Sequence, residues 1–316
     1  MLEETPAWTF TSKRPLTRWF EHVHLLHDRV VGYWFCLDRS SGTRLWERRL
    51  RLAEIAGIED GIIVANERYY VCDISAPRRG CCGISLETGK LLWTPHGSSI
   101  WGRLLSLFHS EAPLYVLNGR CYCLSGRVFD IRTGRSVERV PKEEVQPPEE
   151  PESDTDILGR SRDPSDPVKL RVGDGLWLSH KSPSEPVAET EDEFPAWVWE
   201  FRLFLTDDEG RVKWQFDLKN TGYEICYCPY VDKCRYSAPY LYLVACEKRT
   251  TTMQRKIEVY NPTQFHLLTL DLATGCIAQD IQVTRNPVDV CRFEDIDENG
   301  VLVSESDRIL HYFEKS

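Results

Sequence analysis

Residues Ser85-Leu86-Glu87-Thr88-Gly89-Lys90-Leu91-Leu92-Trp93 read as the end of one strand, a tight turn closed by glycine, and a new strand carrying tryptophan. A hairpin turn needs a residue at positive φ, which glycine supplies without steric cost. Hydroxyl and carboxylate side chains beside it can bond the turn's own amides. A tryptophan after the turn sets a large apolar plate where one sheet meets the next.

The pattern recurs. Cys36-Leu37-Asp38-Arg39-Ser40-Ser41-Gly42-Thr43-Arg44-Leu45-Trp46 precedes it, and Phe129-Asp130-Ile131-Arg132-Thr133-Gly134-Arg135-Ser136-Val137 follows. Leu205-Thr206-Asp207-Asp208-Glu209-Gly210-Arg211-Val212-Lys213-Trp214 and Leu270-Asp271-Leu272-Ala273-Thr274-Gly275-Cys276-Ile277-Ala278 complete the set. The turn glycines Gly42, Gly89, Gly134, Gly210 and Gly275 lie 47, 45, 76 and 65 residues apart. The first two spacings match one four-stranded propeller blade of roughly 40–50 residues. The longer two contain insertions: an acidic, proline-rich stretch in one, and the polar stretch from Lys248 to Gln264 in the other.

Strand patterns fill the intervals. Ala53–Glu59 and Gly61–Glu67 flank an Asp60-Gly61 hairpin signal, and Leu114–Leu117 and Arg120–Leu124 flank Asn118-Gly119. Leu104–Phe108, Leu176–Ser179, Trp197–Leu205, Glu224–Val231, Tyr240–Ala245 and Phe265–Leu270 supply further strands. The tail gives Val288–Phe293, Val301–Ser304 and Ile309–Phe313, one strand short of a blade. Pro6-Ala7-Trp8-Thr9-Phe10 has the character of a fourth strand but no turn before it. An open ring would expose a strand edge. The sequence therefore predicts an all-β, single-domain β-propeller of four-stranded antiparallel blades over residues 1–316, with the last blade closed by the N-terminal strand. Six blades are expected, with seven as the alternative if residues 160–182 supply an irregular extra one.

The Leu-Asp-x-x-Thr-Gly-x-x-x-Trp consensus, best kept at Leu86–Trp93 and Leu270–Gly275, resembles the PQQ-like (quinoprotein-type) β-propeller repeat, at one copy per blade. The resemblance speaks to architecture more than to activity, because such propellers serve as dehydrogenases, assembly factors and binding scaffolds. The quinone dehydrogenases carry an adjacent cysteine pair over their cofactor, and this chain has Cys81-Cys82. It shows no counterpart of their calcium ligands or catalytic aspartate, so no cofactor is expected. A quinone-dependent or small-ligand enzyme working at the channel mouth is the alternative reading.

Charge and composition narrow the function classes. The formal net charge is −10, of which residues 141–167 carry −6 and residues 182–195 carry −5. Both stretches are proline-rich insertions expected to form solvated loops. The remainder is near neutral and offers no basic surface for nucleic acid. No apolar run approaches the ~18 residues of a membrane span, and Met1 leads into Glu3-Glu4 rather than a signal region, so a cytoplasmic protein is expected. The twelve cysteines are then expected to be reduced thiols acting as small core residues.

Local signatures of nucleophilic catalysis and phosphate-binding loops are absent from the sequence. His22 and His24 would share a face on a strand and are the weak candidates for metal ligands, but no second ligand cluster accompanies them. Cys226-x-Cys228 with Cys234, and Cys121-x-Cys123, alternate as strand residues would and do not have zinc-ribbon spacing, and no metal is expected. Aromatic residues exceed what the turns require, and 28 Arg stand against 11 Lys. Aromatic and arginine side chains dominate protein-binding hot spots. The expectation is a monomeric, non-catalytic scaffold that binds a protein partner through loops at one face, with Trp101, Arg103, Trp197 and Trp199 as the candidate contact residues.

Overall fold

The computed structural model describes residues 1–13, 16, 23–48, 51–68, 78–95, 111–146, 169–179, 201–224, 234–248, 251–254, 257–288, 290–306 and 308–316. Among them the chain is all-β: six antiparallel sheets of four or five strands, a separate hairpin and two short 3-10 turns. The repeated sheets fit a β-propeller-like fold. No helix among the described residues is long and apolar enough to cross a membrane. The chain divides into two compact units, Glu21–Glu150 and Met1–Phe20 with Pro151–Ser316.

The first unit holds three sheets in chain order. Sheet one is His24–Leu25, Arg29–Val31, Phe35–Asp38 and Arg44–Glu47. Sheet two is Arg51–Glu59, Ile62–Arg68, Arg78–Ser85 and Leu91–Trp93; sheet three is Pro113–Leu117, Arg120–Cys123, Arg127–Asp130 and Ser136–Arg139. The Asp60-Gly61 and Asn118-Gly119 turns carry positive φ at both residues (51° and 72°, 51° and 74°), the twist that matches a two-residue hairpin. Leu104–Phe108, expected as a strand, lies outside the described residues, and sheet three has its four strands without it.

The second unit holds the other three. Sheet four is Lys169–Gly173, Leu176–Ser179, Arg202–Asp207 and Val212–Asp217. Lys169–Gly173, in the stretch considered for an extra blade, pairs with Leu176–Ser179 as the first strand of this sheet. In sheet five, Tyr223–Glu224 and Cys234–Ser237 both pair with Tyr240–Glu247, which is followed by Phe265–Asp271 and Cys276–Gln282. The rest of the expected strand Glu224–Val231 lies outside the described residues. The polar stretch before Phe265 contains a hairpin, Thr251–Gln254 with Ile257–Tyr260. Sheet six is Cys291–Ile296, Gly300–Glu305 and Ile309–Glu314, joined by Trp8–Thr11. The N-terminal strand therefore does complete the last sheet, in register Trp8↔Tyr312 to Thr11↔Ile309, with the Trp8 and Tyr312 rings stacked at 5.4 Å.

Core residues explain the strand compositions. Along Tyr240–Glu247, Leu241, Leu243 and Ala245 join a buried cluster with Leu203, Leu205 and Phe216 of sheet four. The alternate residues Tyr242, Val244 and Cys246 join another with Phe293, Val301 and Phe313 of sheet six. A strand covered on both faces reads as a continuous apolar run instead of alternating, and each large side chain so buried contributes about 1.5–3 kcal/mol.

The repeat turns interlock neighbouring sheets. Gly42, Gly89, Gly134, Gly210 and Gly275 all sit at φ between 66° and 76°. The residue four before the glycine caps most of these turns: Asp38 Oδ1 accepts from Ser41 N, Asp130 Oδ1 from Thr133 N, and Ser85 Oγ from Thr88 N. Ser85, rather than Glu87, thus fills the aspartate position of the second copy. These bonds hold the Asp38 carboxyl below its ordinary range through Ser40 and Ser41, and the Asp130 carboxyl through Thr133. The tryptophan four after the glycine reaches forward to the next sheet: Trp46 Nε1 donates to Leu86 O at 2.7 Å, Trp93 Nε1 to Ile131 O, and Trp214 Nε1 to Leu272 O at 2.8 Å. Each acceptor lies three residues before the next turn glycine, and each indole lies on that glycine. A Cβ on Gly89, Gly134 or Gly275 would stand 2.7, 2.6 or 2.5 Å from the ring. Two sheets depart from the rule. Glu138 holds the tryptophan position after Gly134 and pairs with Arg120 of its own sheet at 3.0 Å. Gln279 holds it after Gly275, and its amide bonds both Leu2 N (3.0 Å) and Leu2 O (2.8 Å), tying sheet five to the segment that runs beside sheet six.

Candidate functional site

Strand alternation separates the adjacent pair Cys81-Cys82. The two lie on Arg78–Ser85, where successive side chains point to opposite faces. Cys82 Sγ donates to Ala65 O of the neighbouring strand at 3.2 Å, while Cys81 turns toward sheet three. On Arg120–Cys123 the same alternation puts Cys121 and Cys123 on one face, and the burial pattern places that face inward.

Cys81, Cys121 and Cys123 converge. Their Sγ atoms all lie within 4.8 Å of one another, at 3.6 Å for Cys81–Cys121 and 4.0 Å for Cys121–Cys123. All three residues have 0% exposure, in an apolar cluster with Ile62, Val64, Trp93, Phe129 and Ile131. Cys81 N donates to Glu111 O at 2.8 Å. The Glu111 carboxylate is itself held by Ser125 Oγ and by Arg127 Nη1, the latter at 3.3 Å.

Cys121 occupies the centre of this network, and its electrostatics follow from that. Hydrogen bonds from Cys123 and then Cys81 stabilise its thiolate and bring the thiol down to about 5, against the opposing effects of burial and of Glu111. Cys81 and Cys123 move up, because each serves as a donor to Cys121 and would lose that role on ionising. A buried thiol outside this cluster behaves differently: Cys36 is pushed up to about 12 by burial. Three soft donors that share one deprotonation are a chemically distinct feature of an otherwise apolar core.

The residues singled out from the sequence fare as follows. Trp101, Arg103, Trp197, Trp199 and His22 lie outside the described residues. His24 lies on the strand His24–Leu25 opposite Val31, and burial moves its imidazole down, toward the neutral form. The five turn glycines sit in the left-handed region, at φ between 66° and 76°. Among the described residues, the one set of three or more His, Cys, Asp or Glu side chains with convergent ligand atoms is Cys81, Cys121 and Cys123. Sequence reasoning considered Cys81-Cys82 and Cys121-x-Cys123 separately. The available signal was that Cys81 and Cys121 occupy inward-facing strand positions of consecutive repeats.

Compared with known proteins, the chain matches no family model, and no curated protein is similar to it.

Proposed function

We propose that the six sheets are the blades of one propeller of the PQQ-like kind, and that this propeller is a non-catalytic scaffold which holds a protein partner. The reading rests on the interlocked framework. Turns at Gly89 and Gly134 in one unit, and at Gly275 in the other, are each pinned by an indole from the preceding sheet, so within each unit the loops between strands are carried on interlocked sheets. Loops on a rigid scaffold are where binding residues concentrate. In this reading the segments bearing Trp101, Arg103, Trp197 and Trp199 make the contact, with aromatic rings as anchors and arginine as the polar element. The protein works as a cytoplasmic monomer without nucleic-acid or membrane contact.

The test is affinity capture from the source cell with the tagged full-length chain, compared with a variant carrying Trp101→Ala, Arg103→Ala, Trp197→Ala and Trp199→Ala. The reading expects a partner retained by the parent and depleted at least tenfold by the variant, with a melting temperature within about 2 °C, since surface truncations cost little. Equal capture by both chains, or a large fall in melting temperature, overturns the assignment. A third chain lacking residues 141–167 tells whether the acidic insertion contributes.

A further inference from the structure

We propose that Cys81, Cys121 and Cys123 form a binding site for one thiophilic, closed-shell metal ion, held by three thiolates between sheets two and three.

Convergence is the first reason. Residues two apart on a strand are spaced by about 6.8 Å along it, yet Cys121 Sγ and Cys123 Sγ stand 4.0 Å apart. Their side chains therefore lean together toward Cys81, which comes from a different sheet. Spacing is the second. An ion about 2.3 Å from each of three sulfurs in one plane requires them about 4.0 Å apart, and a tetrahedral ion requires about 3.8 Å. The observed 3.6 and 4.0 Å, with the third separation under 4.8 Å, bracket both values. An ion at the centre of the triangle needs little movement of the strands.

Donor chemistry is the third reason. Thiolate sulfur selects copper(I) or zinc, whereas calcium and magnesium require oxygen ligands. The two candidates share the chemistry and differ in detail. Among the described residues no fourth ligand converges with the sulfurs, which suits three-coordinate copper(I). Three thiolates leave a net −1 around zinc and −2 around copper(I), which suits zinc. Each ligating thiol gives up its proton to solvent, and the ion keeps its oxidation state, so no electron acceptor is needed. The bound ion would cross-link strand Arg78–Ser85 to strand Arg120–Cys123 within the core.

The experiment uses the full-length chain produced in zinc-supplemented or copper-supplemented medium and purified anaerobically with reductant. It is desalted against a chelator for the same ion, and its metal content and its thiols under denaturing conditions are then counted. About one ion per chain is expected in one arm, falling at least tenfold in Cys121→Ser and unchanged in Cys82→Ser, whose sulfur faces the other way. Cobalt(II) supplied to the unsubstituted protein should give thiolate charge-transfer absorption, a readout that does not depend on any variant folding. A wild-type chain free of metal in both arms, Cys121→Ser loading equal to wild type, or a wild type missing two of its twelve thiols to a disulfide overturns the proposal.

Discussion

Replacing Gly89 with alanine tests the interlock between sheets directly. Gly89 sits at φ 66°, and an added Cβ would stand 2.7 Å from Trp46 Cδ2 and 2.9 Å from Cε3. Carbon atoms pack best at about 3.5–4.0 Å, so the methyl overlaps the indole by about 0.8 Å. The ring cannot simply withdraw. Trp46 is buried to 7% exposure, and its Nε1 is tied to Leu86 O at 2.7 Å. Three costs follow: about 1–2 kcal/mol for alanine in the left-handed region, about 1–3 kcal/mol for overpacking, and about 0.5–1.5 kcal/mol if the indole hydrogen bond breaks. Gly61 provides the control in the same unit, because its φ is 72° and nothing lies within 4 Å of its added Cβ. Gly61→Ala should cost only the first amount. Gly89→Ala should therefore be the more damaging by about 2 kcal/mol in equilibrium urea unfolding at matched m-values. Adding Trp46→Leu should recover part of the loss as a favourable coupling of about 1 kcal/mol. Equal destabilisation by the two alanines, within about 0.5 kcal/mol, would refute the docking argument.

Three further outcomes are expected. Trp214→Phe keeps the ring over Gly275 but loses the bond to Leu272 O, and should cost about 0.5–1.5 kcal/mol in thermal or urea unfolding. Burial lowers the Lys315 ammonium to about 8, while the unfolded chain titrates near 10.5. Between these values the unfolded state holds more protons, so stability rises with pH, with none of the gain below 8 and all of it above 10.5. Between pH 8 and 9.5 the wild type should gain up to about 1 kcal/mol relative to Lys315→Met, discounted for a half-exposed group. A flat difference would contradict the assignment. Deleting residues 1–11 should leave Ile309–Glu314 as an open edge, causing self-association measurable by light scattering that a peptide of residues 1–13 suppresses.

The all-β class could be read from the chain because a positive-φ turn has few chemical solutions, and one solution recurs five times, the first three copies 47 and 45 residues apart. The forward reach of each tryptophan was only half legible. Its position between sheets followed from its size, but the carbonyl it bonds could not be known before the sheets were placed. Strand limits slipped where an apolar run outlasts its strand: Val288 pairs with Thr263 outside the sheet, and the strand expected from Val288 begins at Cys291. The hairpin Thr251–Gln254 with Ile257–Tyr260 was hidden by its polar composition. Convergence of Cys81 with Cys121 and Cys123 was illegible because it forms between strands 40 residues apart, where cysteine as a small core residue and cysteine as a ligand look alike.

The direction of the tryptophan contacts bears on how the chain assembles during synthesis. Trp46, Trp93 and Trp214 leave the ribosome before their acceptors, which lie 40, 38 and 58 residues later. Each finished sheet thus waits with its clasp open for the next to emerge, a vectorial order that needs no rearrangement. Gln279 reverses it, since its acceptor Leu2 was made 277 residues earlier. The N-terminal strand must stay unpaired until Ile309–Glu314 has been made, and the sheet that these two strands share is the step at which a nascent chain is most exposed to pairing with another copy of itself.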